Sequence, residues 1–381
     1  MSRLTLLFLI LLLGGCSWFG SKKVDLSAPA KLQGFEKKFD LDRAWSVDLG
    51  RGSGKVHIPL VPVIDEGVVY AADRGGVIAA IELDSGKRLW KTKSGDHITG
   101  AVGVGPNLVL YGTQKGAVQT VDKSSGELGW RVNLPSEVLA PPVSNGEVVI
   151  AVALDGSIHG LDAEDGSRLW LVDIKLPLLT VRGNAKPVIV DELVYIGLDS
   201  GKVAAYRIND GASLWELRVG VPEGKNDLER MVDVDAEPLY HSGNLYAGSY
   251  QAGVMAINPQ AGRGLWFQEG SIHNKLGAYG GTLAAVQTDS VVKAYNSSDG
   301  TLLWETDALK NRGLNAPAVT SDFVAVAESR GYLHLLARRT GEIIGRKRVG
   351  GGVRIPTQID NNHIVLMTNS GRLVVYTFTK L

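Results

Sequence analysis

The sequence predicts an all-β chain: an eight-bladed β-propeller of four-stranded antiparallel blades, its ring closed by the N-terminal strand. Three observations predict it. Tryptophan recurs at Trp45, Trp90, Trp130, Trp170, Trp215, Trp266 and Trp304, at intervals of 45, 40, 40, 45, 51 and 38 residues. Five of the seven close the phrase Asp/Asn-x-x-x-Gly-x-x-x-Trp or a near relative, best seen in Asp162-Ala-Glu-Asp-Gly-Ser-Arg-Leu-Trp170. Short apolar runs recur at the same period, and the last unit stops one strand short of completion. A period of roughly 40–45 residues marks one supersecondary unit repeated around a ring or along a rod.

The elements follow in order within each unit. Apolar runs stand at 68–72, 108–111, 148–152, 193–196, 245–247, 283–286, 323–327 and 364–367, which counts eight units. They are too short for helices and rich in β-branched and aromatic residues, so they read as strands. Being apolar at consecutive positions, they should be buried on both faces. A second strand follows each, as in Val77-Ile-Ala-Ala-Ile81, after a hairpin corner such as Asp73-Arg-Gly-Gly76, where glycine accepts positive φ. The Trp-bearing strand comes third, and a Pro-bearing strand opens the next unit (Pro62, Pro142, Pro187, Pro238, Pro317, Pro356). The seventh unit has lost its tryptophan and ends at Gly345. The eighth, Val353 to Phe378, lacks its outermost strand, and Ala44-Trp45-Ser-Val-Asp-Leu49 is available to supply it. Closure of this kind leaves no long unpaired edge, whereas a solenoid needs polar caps at both ends, and none is seen. The tryptophans are expected between neighbouring blades, each indole N–H meeting a carbonyl. That is a structural role and points to no carbohydrate or cofactor.

The N-terminus carries an address. Arg3 precedes an apolar run of about ten residues, which fits a secretory signal and falls short of a membrane span. Leu13-Gly-Gly-Cys16 resembles a bacterial lipobox, which implies that the cysteine is acylated with palmitate and related chains and heads the mature protein. Cys16 is the only cysteine, so no thiol remains for a disulfide or redox role. Ser17 after it, by resemblance to enterobacterial lipoproteins, implies the outer membrane, on its periplasmic face. The expected organisation is a signal at 1–15, a lipidated N-terminus and flexible tether at 16–40, and the propeller at 41–381. Lys+Arg and Asp+Glu are equal at 40 each, and without a basic stripe nucleic acid is excluded as a partner.

No catalytic constellation emerges. The seven histidines (57, 97, 159, 241, 273, 334, 363) are scattered without metal-ligand spacing. Gly50-Arg-Gly-Ser-Gly-Lys55 lacks the gap and the following Ser/Thr of a phosphate loop. Asp233-Val-Asp-Ala-Glu237 starts like a calcium loop, but Pro238 occupies the place that needs Gly. The expectation is no catalytic residue, no cofactor and no metal. The repeat does resemble that of the quinoprotein dehydrogenases, eight-bladed propellers holding pyrroloquinoline quinone and calcium. A periplasmic dehydrogenase is therefore the alternative reading, although those enzymes are usually longer and many carry a cysteine pair at the cofactor.

Two interruptions carry the functional signal. After Trp170 the chain inserts residues 171–183, with apolar Leu176, Leu178, Leu179 and Val181 beside Arg182. After Trp215 it inserts residues 219–235, with Asp227, Glu229, Asp233 and Asp235 around Arg230. Both join one blade to the next. Such connections share one face of a propeller, opposite the Asp-x-x-x-Gly turns, so these two should lie side by side. Apolar anchors beside charges on rigidly mounted loops suit a protein–protein contact. Leu-Leu-Thr-Val-Arg-Gly (178–183) and Asp-Leu-Glu-Arg-Met-Val-Asp-Val-Asp-Ala-Glu-Pro (227–238), with the lipobox and the repeat, resemble the BamB family over essentially the whole chain. These are lipoprotein subunits of the machinery that assembles β-barrels in Gram-negative outer membranes. The resemblance implies a non-catalytic scaffold whose two loops bind the POTRA domains of the central subunit, BamA, and which aids folding and insertion of outer-membrane proteins. By motif it points to Leu179, Val181 and Arg182, with Asp233 and Asp235 opposite; the family commonly has Leu at the position of Val181. Direct contact with unfolded client chains, by pairing along an exposed blade edge, is left open.

Overall fold

The computed structural model describes residues 25, 27–52, 60–174, 185–220, 234 and 236–381. Among them are thirty-two strands in eight four-stranded antiparallel sheets. The first blade shows how each is built. Val63–Asp65, Val68–Ala72, Val77–Glu82 and Arg88–Lys93 are hydrogen-bonded neighbours in that order. The two middle strands of a blade are buried on both faces, as in Val148–Val152 of the third, where every residue is buried. The fourth strand alternates between exposed and covered residues, since one face meets the next blade and the other meets water. The short first strands contact those of neighbouring blades and so surround the axis. Later blades span 98–133, 143–173, 188–218, 239–269, 277–306, 318–348 and 358–380. Pro62, Pro142, Pro187, Pro238 and Pro317 each stand immediately before an inner strand rather than within it, where a missing N–H costs no ladder bond.

Ring closure follows the expectation, with a longer strand. Phe39–Asp48 forms the outer strand of the last blade, pairing from Phe39↔Lys380 to Asp48↔Arg372. Upstream of it, part of the tether expected over 16–40 is described, and residues 16–24 and 26 lie outside the described residues. Ala28 to Lys38 lies against the sixth and seventh blades instead of ranging free. Lys38 N–H donates to Ile344 O at 2.9 Å and Ala30 N–H to Lys310 O at 2.9 Å. Leu32 packs on the apolar cluster between those blades. Polar composition suggested solvent exposure, but the backbone groups find partners on the propeller.

The seven tryptophans of the repeat weld blade to blade. Each indole Nε1–H donates to a carbonyl in the Asp-x-x-x-Gly turn of the next blade: Trp45 to Leu83 (2.7 Å), Trp90 to Lys123 (3.0 Å), Trp130 to Ala163 (2.9 Å), Trp170 to Ile208 (2.8 Å), Trp215 to Pro259 (2.9 Å), Trp266 to Ser297 (3.0 Å) and Trp304 to Arg338 (2.7 Å). The ring of each indole lies on the turn glycine. A Cβ on Gly211, at φ +69°, would sit 2.6 Å from the Trp170 ring. The missing tryptophan of the seventh blade now has a cause. Its neighbour, the eighth blade, joins its last two strands across the chain termini, so it has no such turn to receive an indole.

Hydrogen bonds distinguish two faces. The chain leaving each outer strand bonds to the hairpin corner of the same blade: Ser94 N–H to Gly76 O at 2.9 Å, Leu134 N–H to Gly116 O at 2.8 Å, Val349 N–H to Gly331 O at 2.9 Å. Inter-blade connections and these corners therefore share one face, the connection face. The glycine turns that receive the tryptophans form the opposite one.

Candidate functional site

The candidate site is the pair of long connections that leave the third and fourth blades. Of the residues assigned to it, Leu176, Leu178, Leu179, Val181, Arg182, Arg230, Asp233 and Asp235 lie outside the described residues, as does Cys16. Their roots are described, and they converge. The first connection leaves Arg168–Asp173 through Ile174, whose N–H donates to Gly156 O at 3.2 Å, and returns at the buried Ala185. The second leaves Ser213–Arg218 with Val219 and Gly220 N–H both donating to Gly201 O, at 2.8 and 3.1 Å. It returns at Val234, whose N–H donates to Leu198 O at 3.3 Å. Both ends of the second connection are thus tied to one hairpin corner of the fourth blade, and Val219 and Val234 share an apolar cluster with Tyr195 and Leu245.

Gly197 is where the two roots cross. A Cβ there would lie 2.4 Å from Val234 O and 3.0 Å from the Ala185 Cβ, so only glycine admits both segments over the strand. A charge bridge adds to this. Glu237, just past the second connection, faces Lys186, just past the first, at 3.7 Å, and Lys275 of the following connection at 3.1 Å. Burial alone would raise the Glu237 carboxyl, but the two ammonium groups reverse that and hold it below its ordinary value. The site can therefore present two loops from one rigid base at neutral pH. Glu237 already serves two lysines, which makes it a poor calcium ligand, and no group of three or more His, Cys, Asp or Glu occurs among the described residues.

Sequence reasoning missed Gly197, Lys186 and Glu237. A signal for the last two was available. Each is the residue just before the proline that opens an inner strand, and the same place holds Val61, Pro141, Ala316 and Ile355 elsewhere. Only the units that follow the two long connections carry a charge there, and the charges are opposite.

Comparison with known proteins bears on the whole chain. The family model described as outer membrane protein assembly factor BamB matches residues 38–98, 73–289 and 288–380. The chain belongs to the BamB family. The BamB of Pseudomonas aeruginosa is 37% identical over 373 residues, covering 98% of this chain and 97% of the relative. The BamB of Xanthomonas campestris is 32% identical over 375 residues, covering 94% and 92%. Among solved structures, BamB from Moraxella catarrhalis superposes with a TM-score of 0.81 at 29% identity, over 89% of this chain and all of that one. A quinohemoprotein alcohol dehydrogenase from Comamonas testosteroni also superposes, with a TM-score of 0.66, but at 12% identity, over 89% of this chain and 76% of its own. That likeness shows the propeller fold alone. Within the BamB fold, the roots of the two long connections lie on the connection face, across the junctions of the third, fourth and fifth blades.

Proposed function

We propose that this chain is a non-catalytic scaffold, lipid-anchored through Cys16 at the periplasmic face of the outer membrane, that docks on the POTRA domains of BamA and aids folding and insertion of outer-membrane proteins. Membership of a family of outer membrane protein assembly factors supports the machinery and the membrane. One observation carries the docking surface: the roots of both long connections meet at Gly197 and are bridged by Glu237. Loops mounted on one base lose little freedom when a partner seats on both, which favours affinity. Apolar Leu176, Leu178, Leu179 and Val181 serve as anchors beside Arg182, and Asp233 and Asp235 with Arg230 supply the charged half.

Affinity purification tests this directly. Arg182→Ala or Leu179→Ala should abolish recovery of BamA while leaving the melting curve unchanged; arginine is a hot-spot residue type, and loss of a hot spot costs about 2 kcal/mol or more, roughly 30-fold in affinity. Normal recovery of BamA with both variants would remove these loops from the interface.

A further inference from the structure

A cluster of buried charge lies away from the two connections, under the N-terminal segment. Arg312, 7% exposed, donates from Nε and Nη2 to Glu328, whose side chain has no exposed surface. His334 Nε2 lies 3.4 Å from the same carboxylate, and Arg346 Nε donates to His334 Nδ1 at 3.2 Å. Two guanidinium groups and one carboxylate leave N–H donors to satisfy, and residues 28–38 take up one from each guanidinium, while Arg346 Nη2 stays buried without a partner. Arg312 Nη1 donates to Ala30 O at 2.7 Å and Arg346 Nη1 to Gln33 O at 3.0 Å, with the Phe35 ring 4.8 Å from the Arg346 carbon. Asn311 Nδ2 donates to Ala28 O at 3.3 Å. Without the segment, Arg312 Nη1 would lose its carbonyl partner beside a fully buried carboxylate.

The segment is a strap with a direction. Lys38 bonds near the start of the outer strand Ile343–Arg348, at the glycine-turn face. Ala28 and Ala30 bond to residues 310–312, in the connection between the sixth and seventh blades. The chain therefore runs up the rim and leaves on the connection face, the same face as the paired loop roots and two blades round the ring from the second of them. We infer that this strap decides which side of the propeller looks toward the lipid surface: the connection face, at the sixth and seventh blades. The inference rests on acylation of Cys16. From Cys16 to Ala28 the chain can reach at most about 40 Å. A blade of six-residue strands is itself about 20 Å deep, so an anchor attached on the connection face lets that face approach the lipid while the far face stands about a blade's depth further off. Unstrapped, the leash would run to Phe39 with about twice the reach, and either face could turn to the bilayer.

The test uses the full acylated chain on phosphatidylethanolamine/phosphatidylglycerol vesicles with an energy acceptor on the headgroups. Donor dyes go on Arg330→Cys and Thr340→Cys, exposed positions at opposite faces of the seventh blade. The position-330 dye should transfer roughly twofold more strongly, given the ~20 Å between faces. A twenty-residue Gly-Ser insertion after Ser27, which leaves the strap bonds intact, and Arg346→Ala, which breaks one, should each bring the two dyes toward equality. Vesicle flotation separates the two ideas: a chain that does not float overturns the acylation reading and the inference with it. A chain that floats but shows equal transfer at both positions, or a difference untouched by the insertion, overturns the role of the strap alone.

Discussion

Glu328 has no exposed surface, yet it is ionised. Burial would raise its pKa, but hydrogen bonds from Arg312 and the neighbouring His334 hold it below the ordinary carboxylate value. His334 is shifted down by burial, against the pull of Glu328 and helped by Arg346 and Arg312. Both folded-state values lie below the unfolded ones, so both groups stabilise the fold above their ordinary pKa and lose that contribution as pH falls. For His334 the loss begins below about pH 6.5, and for Glu328 below about 4.5. The melting temperature should therefore drop from pH 7 to 5, and His334→Gln should flatten part of that slope while leaving the steeper fall at lower pH. An unchanged slope would mean that His334 does not titrate on unfolding. Arg312→Ala strands a buried carboxylate and should cost on the order of 3–5 kcal/mol, read by chemical denaturation at pH 7.

The recurring unit is held to its neighbour by one indole on one glycine, and this can be isolated. Gly67 and Gly211 both have positive φ, +75° and +69°. A Cβ on Gly67 meets nothing within 4 Å, whereas on Gly211 it meets the Trp170 ring at 2.6 Å. Gly67→Ala should cost about 1 kcal/mol for the backbone alone. Gly211→Ala should cost clearly more, because the indole must also leave the turn and its bond to Ile208. Equal losses in urea denaturation would show that the Trp–Gly contact contributes nothing. The turn phrase was legible because two chemical demands coincide there: a positive φ and a flat surface for a ring.

The ring as a whole depends on a strand drawn from the far end of the chain. Phe39–Asp48 covers the edge of the last blade and brings Trp45 onto Gly86 of the first, where a Cβ would lie 2.6 Å from the indole. Deleting residues 39–48 exposes an apolar edge and opens the ring at one joint. That variant should lose its single cooperative melt and aggregate on size-exclusion chromatography. A permutant joining Leu381 to Lys38, which keeps the closing strand but gives up the contacts of residues 28–37, should keep a single cooperative melt, because Phe39 already pairs with Lys380. A monomeric, normally melting deletion variant would show that closure is dispensable.

The period, the blade count, the welded tryptophans and the closing strand all stood in the sequence, since each is set by residues close together or by an exact repeat. The lipobox and the two loop motifs likewise needed only local order. Tertiary structure alone decided that Lys186 meets Glu237, that Gly197 admits both loop roots, and that residues 28–38 are a strap over Arg312 and Arg346. Each of these joins groups tens or hundreds of residues apart, and polar composition by itself does not say whether a backbone carbonyl will face water or a buried guanidinium. Only the closed ring, by putting those groups within hydrogen-bond reach, makes the choice.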